Sequence, residues 1–279
     1  MYTSLNPGAI GVNVSTMAEG LALAARHGFD GYHFNIAEAV GLGVERVKEL
    51  AEAEGVRLSA FGFPLDFRGE EDDYEDSLDE LDALAAAAAA LDVRRTATWI
   101  APASDELTFE ENFELHARRL RPAAEILAAH GIRLGLEYVG PLRSRQGKKH
   151  PFVHTMDQMA KLCAAIGPNA GFLLDAWHWY TANEDSTHLQ RLQPEQVVDV
   201  HVNDAPDLAV DAQIDNQREL PGATGVIDIG TFLMALKRIG YDGPVMVEPF
   251  SAALREMSSE DAVAATASAL RDVWERSGL

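Results

Sequence analysis

The sequence has a single cysteine, Cys163. No intrachain disulfide framework can form, and a zinc site built from several thiolates is excluded. Basic residues are scarce. Lys and Arg number 23 against 44 Asp and Glu, for a formal charge of −21. Such a chain repels phosphate backbones and anionic lipid surfaces, so neither nucleic acid nor membrane is expected as a partner. Long apolar runs are also missing. The longest, Ala83 to Leu91, follows an acidic stretch and is too short to span a bilayer. Residues 1–8 carry no basic flank and no apolar run, so a cytoplasmic protein is expected.

What remains is an ordinary globular composition, 47% hydrophobic and 24% charged over 279 residues. That length buries a sizeable core. No linker or composition break is visible, and residues 1–279 read as one domain. Short β-rich apolar runs alternate with amphipathic helices. The expected strands are Ala9–Val14, Gly31–Phe34, Val56–Phe61, Arg95–Ile100, Ile132–Tyr138, Ala170–Leu174, Val197–Val202 and Pro244–Val247. Helices follow them, with Gly28, Gly55, Gly131 and Gly240 as stops. Eight strand–helix units at this length predict an α/β fold, a single closed (β/α)₈ TIM barrel. The alternative, an open doubly wound sheet, usually carries a glycine-rich turn after its first strand. The segment Asn13–Met17, read as that turn, has no glycine.

Four expected strands end in metal-binding residue types: Leu136-Glu137, Leu174-Asp175, Val200-His201 and Val247-Glu248. A buried, unpaired carboxylate is costly. Four such groups at equivalent depth on consecutive strands can share one cation, whose charge offsets their desolvation. Three carboxylates and one imidazole suit Mn²⁺ or Mg²⁺, and are compatible with Co²⁺ or Zn²⁺. The competing reading is an ion-paired polar belt inside the barrel. His178 lies three residues past Asp175, where it can face the same cavity, with Trp177, Trp179 and Tyr180 as apolar walls. Asp199 reads either as a partner of His201 or as a polar residue lower in the barrel.

The order Glu137, Asp175, His178, His201, Glu248, with Gly240–Phe250 and His201-Val202-Asn203-Asp204, resembles the sugar phosphate isomerase/epimerase superfamily of xylose isomerase-like barrels. The likeness spans the barrel and is strongest in its second half. It implies one divalent ion held by Glu137, Asp175, His201 and Glu248. The two glutamates would also exchange protons with a substrate carbon, as in ketose 3-epimerases. It further implies that His178 and Arg218 contact substrate oxygens, and that homodimers or homotetramers form.

The implied chemistry removes a proton beside a carbonyl and passes through an enediolate, which needs electrophilic stabilisation and a carboxylate base. The substrate would be a sugar, sugar phosphate or keto-sugar. An alternative is a lyase or dehydratase acting on a keto-sugar, inosose or keto-glycoside with the same groups. A third reading is a non-catalytic sugar-binding protein. The endonuclease branch of the superfamily needs further histidines at earlier strand ends, where only His33 is available. The segment after strand five carries Arg143, Arg145, Lys148 and Lys149 without an acid. Lys148 and Lys149 would hold a substrate anion at the cavity mouth, or the segment is a solvated loop that pairs with acids of a neighbouring subunit or helix. The long segment Asn203–Val226 reads as a lid, a rigid wall or a subunit contact.

Overall fold

The computed structural model describes residues 1–279. Eight parallel strands form a closed barrel: β1 (Tyr2–Leu5), β2 (Gly31–Phe34), β3 (Arg57–Gly62), β4 (Arg95–Ile100), β5 (Arg133–Tyr138), β6 (Ala170–Asp175), β7 (Val197–Val202) and β8 (Pro244–Val247). Each strand pairs with its neighbours in chain order, and β1 closes against β8 through Tyr2 opposite Pro244 and Thr3 opposite Val245. The expected TIM barrel is therefore present.

The first strand lies earlier than the hydrophobic pattern predicts. Ala9–Val14 is not a strand. It contains part of a 3₁₀ turn, Gly8–Ile10, and Gly11 in the left-handed region at φ 76°. The real strand is half polar because the barrel floor is polar. Ser4 and Ser59, both buried, share a hydrogen bond of 2.7 Å there. The segment that follows β1 contains Gly8 and Gly11, so the glycine-free Asn13–Met17 is not the turn directly after the first strand. Closure of the sheet settles the architecture independently. A short helix at Ile36–Leu42 was also hidden. Asn35 caps it by accepting the N–H groups of Ala37 (2.9 Å) and Glu38 (3.2 Å).

The outer helices follow their sequence signals. Thr108 and Glu111 form a reciprocal capping box at the start of Phe109–Ala129. The acidic helix Glu71–Ala90 begins with Glu71, Asp72 and Asp73, where the helix dipole favours negative charge. Glu71 also pairs with Arg119 at 2.7 Å and Arg118 at 3.1 Å. Gly240 ends Ile229–Ile239 at φ 88°, a conformation that L side chains rarely adopt.

The connections at the carboxyl ends of the strands are the long ones. The segment after β5 is tied to the one after β4 by a two-residue antiparallel pairing, with Ala103 opposite Pro151 and Ser104 opposite His150. The segment 203–226 is tied at its base. The buried carboxylate of Asp204 accepts from the backbone N–H groups of Ala205 (2.8 Å), Thr224 (3.0 Å), Gly225 (2.7 Å) and Ile227 (3.0 Å). Asp204 and Glu219 exchange two backbone bonds, and buried Gln213 donates to the carbonyls of Pro206 and Leu208. These bonds make the segment a built wall beside the barrel mouth. No helix is long and apolar enough to cross a membrane.

Candidate metal centre

Strand register brings the four strand-end residues together. Asp175 on β6 pairs with His201 on β7, and His201 pairs with Met246 on β8. Residues two apart share a face, so Glu248 follows Met246 toward the same axis. Glu137 is the buried penultimate residue of β5. Glu137, Asp175, His201 and Glu248 each offer one ligand atom, and these atoms all lie within 4.8 Å of one another. His201 Nδ1 is 3.4 Å from Glu248 Oε2 and 3.8 Å from Glu137 Oε1.

The fit to a cation shows in atoms without partners. Glu137 Oε1 and His201 Nδ1 are buried and form no hydrogen bond. Buried polar atoms are rarely left so, and a shared cation would satisfy both. Asp175 is better supplied. Its Oδ1 accepts the Trp177 N–H at 2.7 Å, capping the helix Ala176–Thr181, and Asn203 Nδ2 donates to both of its oxygens at 3.1 Å. The same Asn203 accepts the Glu248 N–H at 2.8 Å, which fixes two of the four residues relative to each other.

The cluster has an excess of acids. Burial, Glu248 and Asp175 push Glu137 well above the usual carboxylate range. Burial opposes ionisation of Glu248 as well, but His201 and Arg218 outweigh it and hold this carboxyl low. Burial likewise opposes charge on His201, yet Glu248, Glu137 and Asp199 push the imidazole up to about 10. The shifts of Glu137 and His201 both favour the protonated forms when no metal is bound. Three oxygens and one imidazole nitrogen in this arrangement suit a hard or borderline divalent ion.

Arg218 spans the outer edge of the cluster. Its Nη1 donates to Asp175 Oδ2 (2.8 Å) and Glu248 Oε2 (3.3 Å). Its Nη2 and Nε donate to the side chain and the backbone carbonyl of Asp215, both at 2.8 Å. The guanidinium lies between Trp177 (5.4 Å) and Phe250 (4.6 Å). Phe250 adopts φ 45°, uncommon for a bulky residue, directly after Glu248 and Pro249.

A cavity of about 350 Å³ opens above the cluster. Glu137, His178, Arg218 and Glu248 line it, together with Trp99, Pro102, Val139, Ser144, Asp215 and Phe250. Trp99, Asp215 and Phe250 were not singled out from the sequence. Trp177 is fully buried beneath Arg218 and does not line the cavity. Lys148 and Lys149 do not line it either. Lys148 pairs with Asp105 at 2.6 Å, and the Lys149 N–H reaches the same carboxylate at 3.3 Å. Asp199 lies below the cluster. It makes no hydrogen bond to His201 and accepts the Val200 N–H at 2.9 Å, while burial pushes it up to about 6. A larger groove of about 710 Å³ lies at the opposite end of the barrel, where Arg94 pairs with Asp92 and Arg95 with Asp242. It holds none of the four strand-end residues.

Residues 21–273 match the family model described as xylose isomerase-like TIM barrel. The chain belongs to this family. A solved xylose isomerase domain protein from Alicyclobacillus acidocaldarius is 31% identical with a TM-score of 0.89, each chain being covered completely. An inosose isomerase from Halalkalibacterium halodurans is 29% identical over 147 residues, 52% of this chain and 49% of that protein. A 3-dehydroshikimate dehydratase from Pseudomonas putida is 26% identical over 247 residues, 86% of this chain and 37% of that protein. The chain thus spans about half or less of the length of the curated relatives it matches.

Proposed function

We propose that this barrel, one domain over residues 1–279, is a divalent-metal-dependent sugar isomerase or epimerase. It would act on a keto-sugar, free or phosphorylated, by proton abstraction next to the carbonyl. The observation that carries this reading is the grouping of Glu137, Asp175, His201 and Glu248 beneath a cavity that Glu137 and Glu248 line, with two of the buried atoms unpartnered. Similarity to an inosose isomerase supports a small polyhydroxylated ketone as substrate.

Glu137, Asp175, His201 and Glu248 would hold the ion, Mn²⁺ or Mg²⁺ first, with Co²⁺ or Zn²⁺ compatible. A bound divalent cation supplies positive charge where the enediolate develops negative charge. Glu137 and Glu248 reach the cavity from β5 and β8, on either side of β6 and β7, so a substrate can lie between them. One carboxylate takes the carbon-bound proton, and the other returns a proton to the opposite face. Arg218 and His178 hold the substrate oxygens, and Trp99 and Phe250 wall the cavity against water.

Similarity to a dehydratase favours a second reading, a lyase that expels water from the same enolate. One experiment separates the two. The Mn²⁺-loaded protein is incubated with an inosose in D₂O and followed by NMR. The first reading predicts deuterium at the carbon beside the carbonyl with the hydroxyls retained. Loss of water selects the lyase, and neither event across a panel of keto-sugars contradicts both.

A further inference from the structure

His178 sits between two hydrogen-bond donors. Its Nδ1 faces the backbone N–H of Gly140 at 3.2 Å, and its Nε2 lies 3.3 Å from Nη2 of Arg218. A backbone amide and a guanidinium can only donate, and a neutral imidazole has one nitrogen that accepts. Only one of the two contacts can therefore be a hydrogen bond. What each donor would lose decides between them. Gly140 is buried, and its N–H has no other partner. Leaving it unpaired carries the full desolvation penalty of a buried amide. Arg218 Nη2 already donates to Asp215 at 2.8 Å. The geometry points to a locked tautomer: the Gly140 amide occupies Nδ1, so His178 carries its proton on Nε2 and presents a donor to the cavity.

The sequence builds in the close approach this requires. A Cβ at Gly140 would fall 2.4 Å from the carbonyl oxygen of His178, 2.7 Å from Oγ1 of Thr181 and 3.0 Å from the backbone N of Ala182. Two of these three atoms are backbone and cannot swing aside. Glycine is what lets the chain after β5 lie against the helix Ala176–Thr181. Gly140 is thus a positioning residue that acts through His178.

The consequence concerns ligand chemistry. The protein acceptors facing Nε2, Glu137 Oε2 and Asp215 Oδ1, are both 3.8 Å away, beyond hydrogen-bond reach. With Arg218 beside it, the Nε2–H forms a two-donor corner that takes an oxygen with free lone pairs. Resting on the function proposed above, that oxygen is the ketone oxygen of the substrate, which gains negative charge as the proton leaves. A neutral donor there parallels known carbonyl-polarising histidines. A ligand whose only polar group is an ammonium has no place at this corner.

The test is ¹⁵N NMR of histidine-labelled, Mg²⁺-loaded protein at neutral pH, with His178 assigned by its loss in His178→Asn. The expected signature is an unprotonated Nδ1 and a protonated Nε2. A protonated Nδ1, or two nitrogens averaging between tautomers, would overturn the proposal. Gly140→Ala should release the lock and give averaged signals. An unchanged wild-type signature in that variant removes Gly140 from the argument. Should the variant not fold, coupling across the hydrogen bond between the Gly140 N–H and His178 Nδ1 in the wild-type protein is the second readout, and its absence counts against the lock. None of these measurements uses turnover. Failure of keto-sugar isomerisation would overturn the proposed function and leave the tautomer assignment intact.

Discussion

His201 Nδ1 and Glu137 Oε1 face each other across 3.8 Å, both buried and neither with a hydrogen-bond partner. Two unsatisfied atoms so close together mark the position where a cation fits. Four predictions follow from this relationship and from the structure that holds it.

The first concerns protons. Glu137 is raised well above its ordinary range by burial and by its acidic neighbours, and His201 stands at about 10. Both therefore hold their protons to higher pH than the free groups do when no metal is bound. A metal needs both deprotonated, so its binding releases up to about two protons. Affinity must then rise with pH and fall toward acid. Calorimetric titration of Mn²⁺ in buffers of different ionisation enthalpy measures the released protons directly.

The second contrasts two carboxylates. In the metal-free protein burial and its acidic neighbours disfavour the ionised form of Glu137, so Glu137→Gln should change stability by no more than about 1 kcal/mol. Asp175 is paired with buried Arg218 at 2.8 Å, and Asp175→Asn should cost about 3 kcal/mol by breaking that pair. With Mn²⁺ at a hundredfold excess over its Kd, the wild-type protein should gain about 2.7 kcal/mol. Both variants should lose that gain. Urea denaturation with and without metal checks all three values.

The third tests the wall beside the cavity. Asp204→Ala leaves four buried or half-buried backbone N–H groups without their acceptor. It should destabilise the protein by about 3 kcal/mol and open residues 206–218 to proteolysis. Wild-type protein should resist cleavage there with or without ligand. Rapid wild-type cleavage in this segment would make it a mobile lid instead.

The fourth concerns the lone thiol. Cys163 is buried, donates to the Gly171 carbonyl, and is pushed up to about 12 by burial. Almost no thiolate exists at neutral or mildly alkaline pH. An aromatic disulfide reagent should label it only after unfolding. Fast labelling of the native protein would contradict the buried placement.

The strand-end residues were legible in sequence for a physical reason. Each follows a run of apolar residues, where an unpaired polar group is costly and therefore informative. The barrel itself was legible from the alternation of elements, even though β1 was placed too late. That strand escaped because it carries two hydroxyl residues, Thr3 bonded to Asp30 and buried Ser4 bonded to Ser59, in place of an apolar run. Trp99, Asp215 and Phe250 reach the cavity through loop paths and backbone angles that no periodicity encodes. Lys148 and Lys149 stood out as charges in an acidic protein, but charge alone does not reveal that Asp105 takes the Lys148 ammonium and the Lys149 backbone N–H. Trp177 stood beside a ligand in sequence, yet it supports Arg218 from below instead of facing the cavity.

The most direct measurement is metal content after equilibration with Mn²⁺ and removal of the free ion, in the wild-type protein and in Glu137→Gln and His201→Asn. The account predicts one equivalent per wild-type chain and a large loss in each variant. Equal metal in all three proteins, or none in the wild type, would contradict it.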